Sequence, residues 1–170
     1  FAGQHTSNIT ATWTGYRMLL AWDNIGQQIE KEQLQVLSEE KSGKINFNAL
    51  QNMEFLENCV KETLRMYPPL ILLMRKVLIP LKYKNYIIPK GDIIIATPPV
   101  GNRLETIYSN PNTFDPDRFL RKEGSESNSY ISFGGGRHTC LGQYFGILQI
   151  KTIWSTLFRN YDFEIIDPLP

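Results

Sequence analysis

The chain has 170 residues, enough for one ordinary domain, and it is 42% hydrophobic and 21% charged, which excludes a disordered polypeptide. Its formal net charge of +1 gives no reason to expect a nucleic acid or another polyanion as a partner. The longest apolar run, residues 68–74, is far shorter than the ~20 residues that a membrane-spanning helix needs.

The sequence opens on Phe1-Ala2-Gly3 rather than on methionine, and it runs directly into helical periodicity. We therefore expect a fragment of a longer protein, cut within a helix that continues to about residue 21. A second helix is predicted to about residue 38, with Asp23 or Asn24 as its N-cap. A loop at 41–44 and a short helix at 46–50 follow.

The clearest helix is predicted over residues 54–67, where Leu56, Val60 and Leu64 recur every four residues. Pro68-Pro69 ends it, because proline cannot continue the hydrogen-bond ladder. Branched apolar residues then predict strands at 70–81, 86–88 and 92–96, with a turn at 89–91 between the last two. Residues 98–132 are predicted to be mostly loop, and so long a loop usually serves a purpose such as wrapping a cofactor.

The two cysteines of the chain are too few for a disulfide framework. Cys59 lies on the apolar face of the helix at 54–67, which predicts a buried free thiol, and reduced thiols fit a chain that faces the cytosol. The other cysteine, Cys140, stands at the start of a last predicted helix that reaches residue 160. The expected buried face of that helix consists of Leu141, Phe145, Leu148, Thr152 and Leu157.

The segment Phe133–Gly142 combines three successive glycines with Cys140. A cysteine at a helix start meets unpaired backbone amides and the positive end of the helix dipole, which lower its pKa and favour the thiolate. Glycines let the backbone turn tightly and approach a flat ligand closely. Phe133 is placed to pack beside the sulfur and exclude water from it.

The segment Phe133–Gly142 allows other interpretations. A dinucleotide phosphate loop would need a third glycine where Thr139 stands, so that pattern fails. A zinc site built on His138 and Cys140 would need further ligands, and only His5 and Cys59 remain. A plain glycine-rich turn before a core cysteine explains the segment, taken alone, about equally well.

Four segments together, in this order, resemble the cytochrome P-450 monooxygenases. They are Ala2-Gly3-Gln4-His5-Thr6-Ser7, similar to the oxygen-activating turn of the distal helix; Glu62-Thr63-Leu64-Arg65, similar to the Glu-x-x-Arg helix; Pro116-Asp117-Arg118-Phe119, similar to the arginine segment; and Phe133–Gly142, similar to the haem-binding loop. The resemblance implies the carboxy-terminal half of that fold, mainly α with a small β-sheet. Residues 1–170 would form a single partial domain, with the amino-terminal half and the final segment absent.

Within that family the sequence is most similar to the sterol 14-alpha-demethylases. His5 and His138 stand where most members carry an acid and an arginine, and Leu73-Met74-Arg75 and residues 149–156 also match the subfamily. Thr139 departs from the pattern, since the subfamily usually has a basic residue there. Asn8-Ile9 departs from it as well, in replacing smaller residues.

The resemblance implies a role for each matching residue. Cys140 would be the axial ligand of the iron of heme b (iron protoporphyrin IX), inside the loop formed by Phe133, Gly134 and Gly136. Arg75 and His138 would bind the haem propionates, since arginine offers a fork suited to carboxylates. Thr6 and His5 would serve oxygen activation, and Leu72, Leu73 and Met74 would line the substrate pocket. Glu62, Arg65 and Arg118 would form a buried network with a structural role.

Plainer interpretations stay open for several of these residues. Glu62 and Arg65 could form an ordinary surface pair, which contributes little. Thr6 could bond merely to its own helix backbone, and residues 72–74 could be ordinary strand packing. Arg121, Lys122, Arg137 and Lys151 could form a basic surface for a reductase, although a solvated charged rim is the simpler interpretation.

The function implied by the resemblance is oxidative removal of the 14-alpha-methyl group of a sterol precursor, in three oxidations that release formate. It would use heme, dioxygen and electrons from NADPH through a flavoprotein reductase, on the cytosolic face of the endoplasmic reticulum membrane, held by an anchor outside this chain. The chain alone is expected to be inactive. Two alternatives are a monooxygenase acting on another lipid or steroid and a non-catalytic partial gene product.

Overall fold

The computed structural model describes residues 2–40, 44–125 and 129–166. Within these ranges the helices are α1 (Ala2–Leu20), α2 (Trp22–Glu39), α3 (Phe47–Asn52), α4 (Glu54–Met66), α5 (Pro98–Gly101) and α6 (Gln143–Asn160). The strands are β1 (Leu73–Lys76), β2 (Leu81–Tyr83), β3 (Tyr86–Ile88) and β4 (Ile93–Ala96). Two 3₁₀ helices, Pro116–Phe119 and Gly136–His138, lie between α5 and α6. The prediction of a mainly α fold with a small β component is confirmed.

Helices α2 and α3 differ in how their amino-terminal ends are capped. The prediction that Asp23 or Asn24 caps α2 is wrong, because the helix already starts at Trp22 and the carbonyl of Ala21 accepts its first backbone hydrogen bonds. In contrast, α3 has a side-chain cap, since the amide of Ala49 donates to the Asn46 side chain at 2.9 Å. Most of the loop predicted at 41–44 lies outside the described residues.

The start of α4 is capped from another helix. Met53 precedes α4 and offers no side-chain hydrogen bond. The carboxylate of Glu32 in α2 accepts the backbone N–H groups of Phe55 and Leu56 instead, the latter at 2.9 Å. These amides are among the donors that a helix start leaves unpaired. Burial raises the pKa of Glu32, although the two hydrogen bonds oppose that shift.

Two hydrophobic clusters form the core. The larger one joins α1, α2, α3 and α4 through buried side chains that include Met18, Ile29, Met53 and Leu56. Cys59 belongs to it as a free buried thiol, as predicted, and burial raises the pKa of this thiol. The smaller cluster consists of Val60, Leu64, Ile147 and Ile150, between α4 and α6.

The strands form two separate antiparallel pairs. β1 pairs with β4, with Leu73 opposite Ala96, and β2 pairs with β3 in a hairpin. The prediction of one strand over 70–81 is therefore wrong. Pro80 lacks the N–H that a ladder needs and separates the two strands. The predicted turn at 89–91 is present and Gly91 has a φ of 101°, although the strands that it joins pair with other partners.

Helix α6 differs from its prediction in start and in face. It begins at Gln143, three residues after the expected Cys140. The expected face is wrong: Leu141 and Phe145 are exposed, whereas the buried positions are Ile147, Ile150, Lys151 and Ser155. The two polar members are paired, Lys151 with Glu57 at 3.1 Å and Ser155 with Gln33 at 2.9 Å. Hydrophobicity alone therefore selected the wrong side of the helix.

In the part of the chain that the structure describes, no helix combines the length and hydropathy of a membrane span.

Candidate functional site

A cavity of about 530 Å³ lies between α1, α6, the end of α4 and the loop that precedes α6. Its wall is partly apolar, from Leu64, Leu70, Phe133 and Ile147, with polar groups at separate points. Seven of the fourteen residues singled out in the sequence meet here: Thr6, Leu73, Arg75, Phe133, Gly134, His138 and Cys140. Concave, mostly apolar sites with a few convergent polar groups are typical of ligand binding.

The loop around Cys140, residues 133–140, is closed by its own backbone. The Cys140 amide donates to the Phe133 carbonyl at 2.8 Å. Gly134 has a φ of 75°, and a Cβ there would lie 3.0 Å from the His138 carbonyl oxygen. Gly136 has a φ of 63° but is not part of the cavity wall. Two residues in the left-handed region thus give this loop a shape that favours glycine.

Cys140 itself is a free, exposed thiol. It stands two residues before Gly142, which is the N-cap of α6, so the prediction that it begins the helix is wrong by three residues. Cys140 is nevertheless part of the cavity wall, together with Gly142. Phe133 reaches the same cavity and also packs against the Val60 cluster, so it anchors the loop to α4.

Strand β1 presents alternate side chains to the cavity. Leu73 and Arg75 line it, whereas Met74 is exposed and outside the lining, because successive side chains of a strand point to opposite faces. Leu72, which precedes the strand, is also exposed and outside the lining. Of the three residues predicted to line a substrate pocket, only Leu73 therefore does so among the described residues. The Arg75 guanidinium donates to the Met74 carbonyl at 2.8 Å.

Thr6 and His5 have different surroundings on α1. Thr6 is half-buried in the cavity wall, and its hydroxyl donates to the Gly3 carbonyl at 3.3 Å. His5 is exposed and does not line the cavity. The neighbours of Thr6 that do line it are Gln4, Ser7 and Asn8. Sequence reasoning singled out none of these three as a cavity residue.

Glu62, Arg65 and Arg118 meet in a fully buried network. Arg65 pairs with Glu62 at 2.8 Å and Arg118 pairs with it at 2.9 Å, and all three side chains are 0% exposed. Arg65 also donates to the Asn102 and Pro111 carbonyls, each at 2.7 Å. These contacts tie α4 to the long connection before the cysteine loop, and they exclude an ordinary surface pair.

A second carboxylate belongs to this network. Arg118 donates to Glu123 at 2.6 Å, and both the amide and the hydroxyl of Ser109 donate to the same carboxylate. Burial alone would raise the pKa of Glu123, but hydrogen bonds from Arg121 and Ser109 outweigh it and lower the pKa to about 2. Sequence reasoning missed Glu123. The alternating charges of residues 115–123 were the available signal.

Hydroxyl groups connect this network to the start of the cysteine loop. Ser132 donates to the Leu64 carbonyl at 2.9 Å and accepts from Asn102 at 3.2 Å. Tyr130 donates to the Lys61 carbonyl at 3.2 Å, and burial raises the pKa of Tyr130. The segment leading into Phe133 is therefore fastened along α4, which fixes where the loop begins.

The four cations that could have formed a basic surface do not lie together as one. Arg121 is paired with Asp115 and Glu123, and its pKa is raised by the hydrogen bonds to these two carboxylates. Lys151 is buried and paired with Glu57. Arg121, Lys122 and Arg137 are exposed, but the charge of Arg121 is paired with the two carboxylates. A surface that depends on all four is therefore wrong.

Comparisons with known proteins show the family to which the chain belongs. The family model described as Cytochrome P450 matches residues 1–168. The chain is 47% identical to an obtusifoliol 14-alpha demethylase of Sorghum bicolor and 44% identical to a sterol 14-demethylase of Arabidopsis thaliana, each alignment covering 100% of the chain and 36% of the relative. It is 38% identical to a lanosterol 14-alpha demethylase of Homo sapiens, over 98% of the chain and 33% of the relative. The chain thus spans about a third of the length of these curated relatives.

Proposed function

Because this chain belongs to the cytochrome P450 family, we propose that it is the haem-binding part of a monooxygenase that removes the 14-alpha-methyl group of a sterol precursor. The observation that carries the proposal is the exposed thiol of Cys140 in the wall of a cavity that also contains Thr6. The names of the relatives support the substrate class, since all three describe 14-demethylases of sterols.

The residues around this cavity fit heme b. A cysteine thiolate is a ligand of haem iron in this class of enzyme, and Cys140 supplies it. Arg75 and His138 line the same cavity and offer hydrogen-bond donors for two carboxylates. Leu64, Leu70, Phe133 and Ile147 supply apolar surface for the flat faces. Gly134 lets the loop backbone pass close to the ligand, where a side chain would collide with the His138 carbonyl.

Bound haem would supply the chemistry of dioxygen, with thiolate ligation favouring cleavage of the O–O bond. The protein's own groups have narrower tasks. Phe133, in the same cavity wall as Cys140, would keep water from the sulfur once haem is bound, and Thr6 would offer a hydroxyl from which a proton can be passed. His5, exposed on the outer side of the same turn, would exchange protons between Thr6 and the solvent.

The remaining residues have supporting roles in this proposal. Glu62, Arg65 and Arg118 hold the proximal core, because their buried contacts tie α4 to the long connection that precedes the cysteine loop. Leu73 contributes to the substrate side of the cavity. Leu72 and Met74 are exposed here, so a substrate role for them requires contacts with parts of the enzyme beyond this chain.

The partners follow from the same proposal. Electrons would come from NADPH through a flavoprotein reductase, and dioxygen and a 14-alpha-methyl sterol would be the substrates. The enzyme would work on the cytosolic face of the endoplasmic reticulum membrane. The family membership supports these assignments.

The test uses a full-length protein that contains this chain. Its reduced carbon monoxide complex is expected to show the red-shifted Soret band of thiolate-ligated haem. With NADPH and a reductase it is expected to convert obtusifoliol or lanosterol to the 14-demethylated product and formate. Cys140→Ser is expected to abolish both the band and the product, because a serine hydroxyl does not replace the thiolate.

Cys59→Ala is the matched control, since it removes the other cysteine from the core without touching the cavity. It is expected to keep the band. A band that survives Cys140→Ser would refute the assignment of the iron ligand. An intact band with turnover of an unrelated lipid, and none of either sterol, would refute the substrate class.

A further inference from the structure

Trp154 of α6 connects the two parts of the core, since it packs against both hydrophobic clusters. Its indole lies against Gly15 of α1 so closely that a Cβ on that glycine would fall 1.6 Å from Cζ2 of the ring. The indole N–H donates to the Ala11 carbonyl of α1 at 2.8 Å. One side chain thus makes both a steric and a polar contact with the opposite helix.

The indole has little freedom to move away from α1. Phe158 lies beside it with ring centroids 5.2 Å apart, and Phe163 lies at 6.1 Å. Packed interiors transmit displacements instead of absorbing them. A methyl group introduced at Gly15 would therefore push the two helices apart or force the whole aromatic group to repack.

The contact between α1 and α6 extends from Trp154 to the wall of the cavity. Ser7 of α1 and Gly146 of α6 both line the cavity, and a Cβ on Gly146 would lie 3.9 Å from the Ser7 hydroxyl. From there the contact runs along both helices to Ala11, Gly15 and Trp154. Each helix behaves as a rigid rod with a rise of about 1.5 Å per residue. A shift where Trp154 meets α1 is therefore expected to change the separation of the helices at the cavity.

We propose that Trp154 is a positioning residue that sets the separation of α1 and α6, and thereby the distance across the cavity between Thr6 and Cys140. This inference rests on the proposed function, in which haem occupies that cavity. Ordinary core packing is the simpler role for a tryptophan here. The two roles differ in what they predict for folded variants.

The first measurement needs no haem. Spin labels are placed at Asn8→Cys and Tyr144→Cys in the full-length protein carrying Cys140→Ser, with every cysteine outside residues 1–170 replaced by serine. Cys59 is fully buried and protected from labelling. Gly15→Ala is expected to shift the label distance by about 1–2 Å, the usual scale of helix shifts at packed interfaces. In a Trp154→Leu background the same Gly15→Ala change is expected to shift it little, because leucine vacates the space that the methyl group needs.

The second measurement uses the haem-loaded enzyme with Cys140 intact. Trp154→Phe keeps an aromatic ring but removes the N–H donor, and it is expected to retain the thiolate Soret band. Misplacing reacting groups by about 1 Å can lower turnover up to roughly a hundredfold. We therefore expect a lower ratio of product to NADPH per folded, haem-loaded molecule. Trp13→Phe is the matched control: Trp13 belongs to α1 itself and stacks on Tyr67 at 4.3 Å, and its variant is expected to keep the parent ratio.

The outcomes separate this inference from the proposed function. Equal distance shifts for Gly15→Ala in both backgrounds, or no shift in the folded Gly15→Ala protein, would overturn it. If Gly15→Ala does not fold, the same two measurements are made on Trp154→Phe. An unchanged label distance and an unchanged ratio of product to NADPH would show that Trp154 acts only in core packing. A wild-type enzyme without the thiolate band refutes the proposed function, while the label distances still decide the role of Trp154.

Discussion

The Glu62 network and the cysteine loop both contact α4, yet they differ in burial and in the kind of hydrogen bond that holds them. In the network, Glu62, Arg65 and Arg118 are 0% exposed, and each is engaged by several hydrogen bonds. In the loop, residues 135–140 are exposed, and the hydrogen bonds that shape it are mainly between backbone groups. The charged groups of the network find their partners within this chain, whereas the loop leaves the Cys140 side chain accessible to a ligand.

The difference shows that buried charges and a ligand-binding side chain need different surroundings. A buried charge must be paired where it stands, because an unpaired one is costly in a low-dielectric interior. A ligand-binding side chain must instead be held by its backbone while its reactive atom stays accessible. Substitutions in the network should therefore act on folding, and substitutions at the cysteine should act on the ligand.

The largest effect is expected from Glu62→Ala, which would leave two buried guanidinium groups without their shared carboxylate. Breaking a buried pair in this way typically costs about 3–5 kcal/mol. We expect urea unfolding of the full-length protein to shift by that amount, or the protein to fail to incorporate haem. Glu54→Ala, an exposed substitution on the same helix, serves as the control. A stable, haem-loaded Glu62→Ala protein would contradict the contrast between the two regions.

A smaller, pH-dependent effect is expected from Glu123→Gln. The pKa of Glu123 is lowered from 4.5 to about 2, so its ionised form stabilises the fold above pH 4.5, and that stabilisation is lost as the pH falls towards 2. Hydrogen bonds to charged groups contribute roughly 1.5–3 kcal/mol, so the variant should be less stable than the parent by about that amount at pH 7. The difference in unfolding free energy between the parent and the variant should become smaller below pH 4.5.

The measurement is the urea midpoint of both proteins between pH 7 and the lowest pH at which they remain folded. Glu105→Gln provides the comparison, since Glu105 is an exposed acid in the same long connection. A gap that is independent of pH would mean that Glu123 acts through its shape and not through its charge.

The smallest effect on folding is expected from Cys140→Ser in the haem-free protein. Substitutions at exposed positions usually change stability by no more than about 0.5 kcal/mol. The urea midpoint should therefore match that of the parent, even though the thiolate band is lost after haem is added. A large loss of stability without haem would show that the sulfur is needed for the loop itself.

The sequence predicted the parts of this site that are local or that matched a family pattern. The four-residue period of α4 predicted its core face, and the resemblance brought Glu62, Arg65 and Arg118 together although Arg118 is 56 residues from Glu62 along the chain. Glu123 and Asn102 were not foreseen, because no periodicity links a loop residue to a buried helix. The face of α6 was predicted wrongly because Lys151 and Ser155 are buried through partners on α4 and α2.

The strand region shows the same limit. Branched residues predicted strand character at 70–96, but not that β1 would pair with β4 while β2 and β3 form their own hairpin. Pairing depends on register and on the packing of both faces, which a single strand does not specify. Many apolar side chains here remain exposed, among them Ile79 and Ile87. Strand character read from branched residues therefore does not tell which of these side chains are covered.

The Glu32 cap also bears on the order in which the molecule assembles. A helix start that depends on a carboxylate from another helix cannot be fully stable in an isolated peptide, so α4 should be frayed at Phe55 and Leu56 until α2 docks. On the ribosome α2 is synthesised before α4, so the capping group is in place before the helix that needs it. The helix that carries Glu62 thus acquires its first turn from a segment that has already been made.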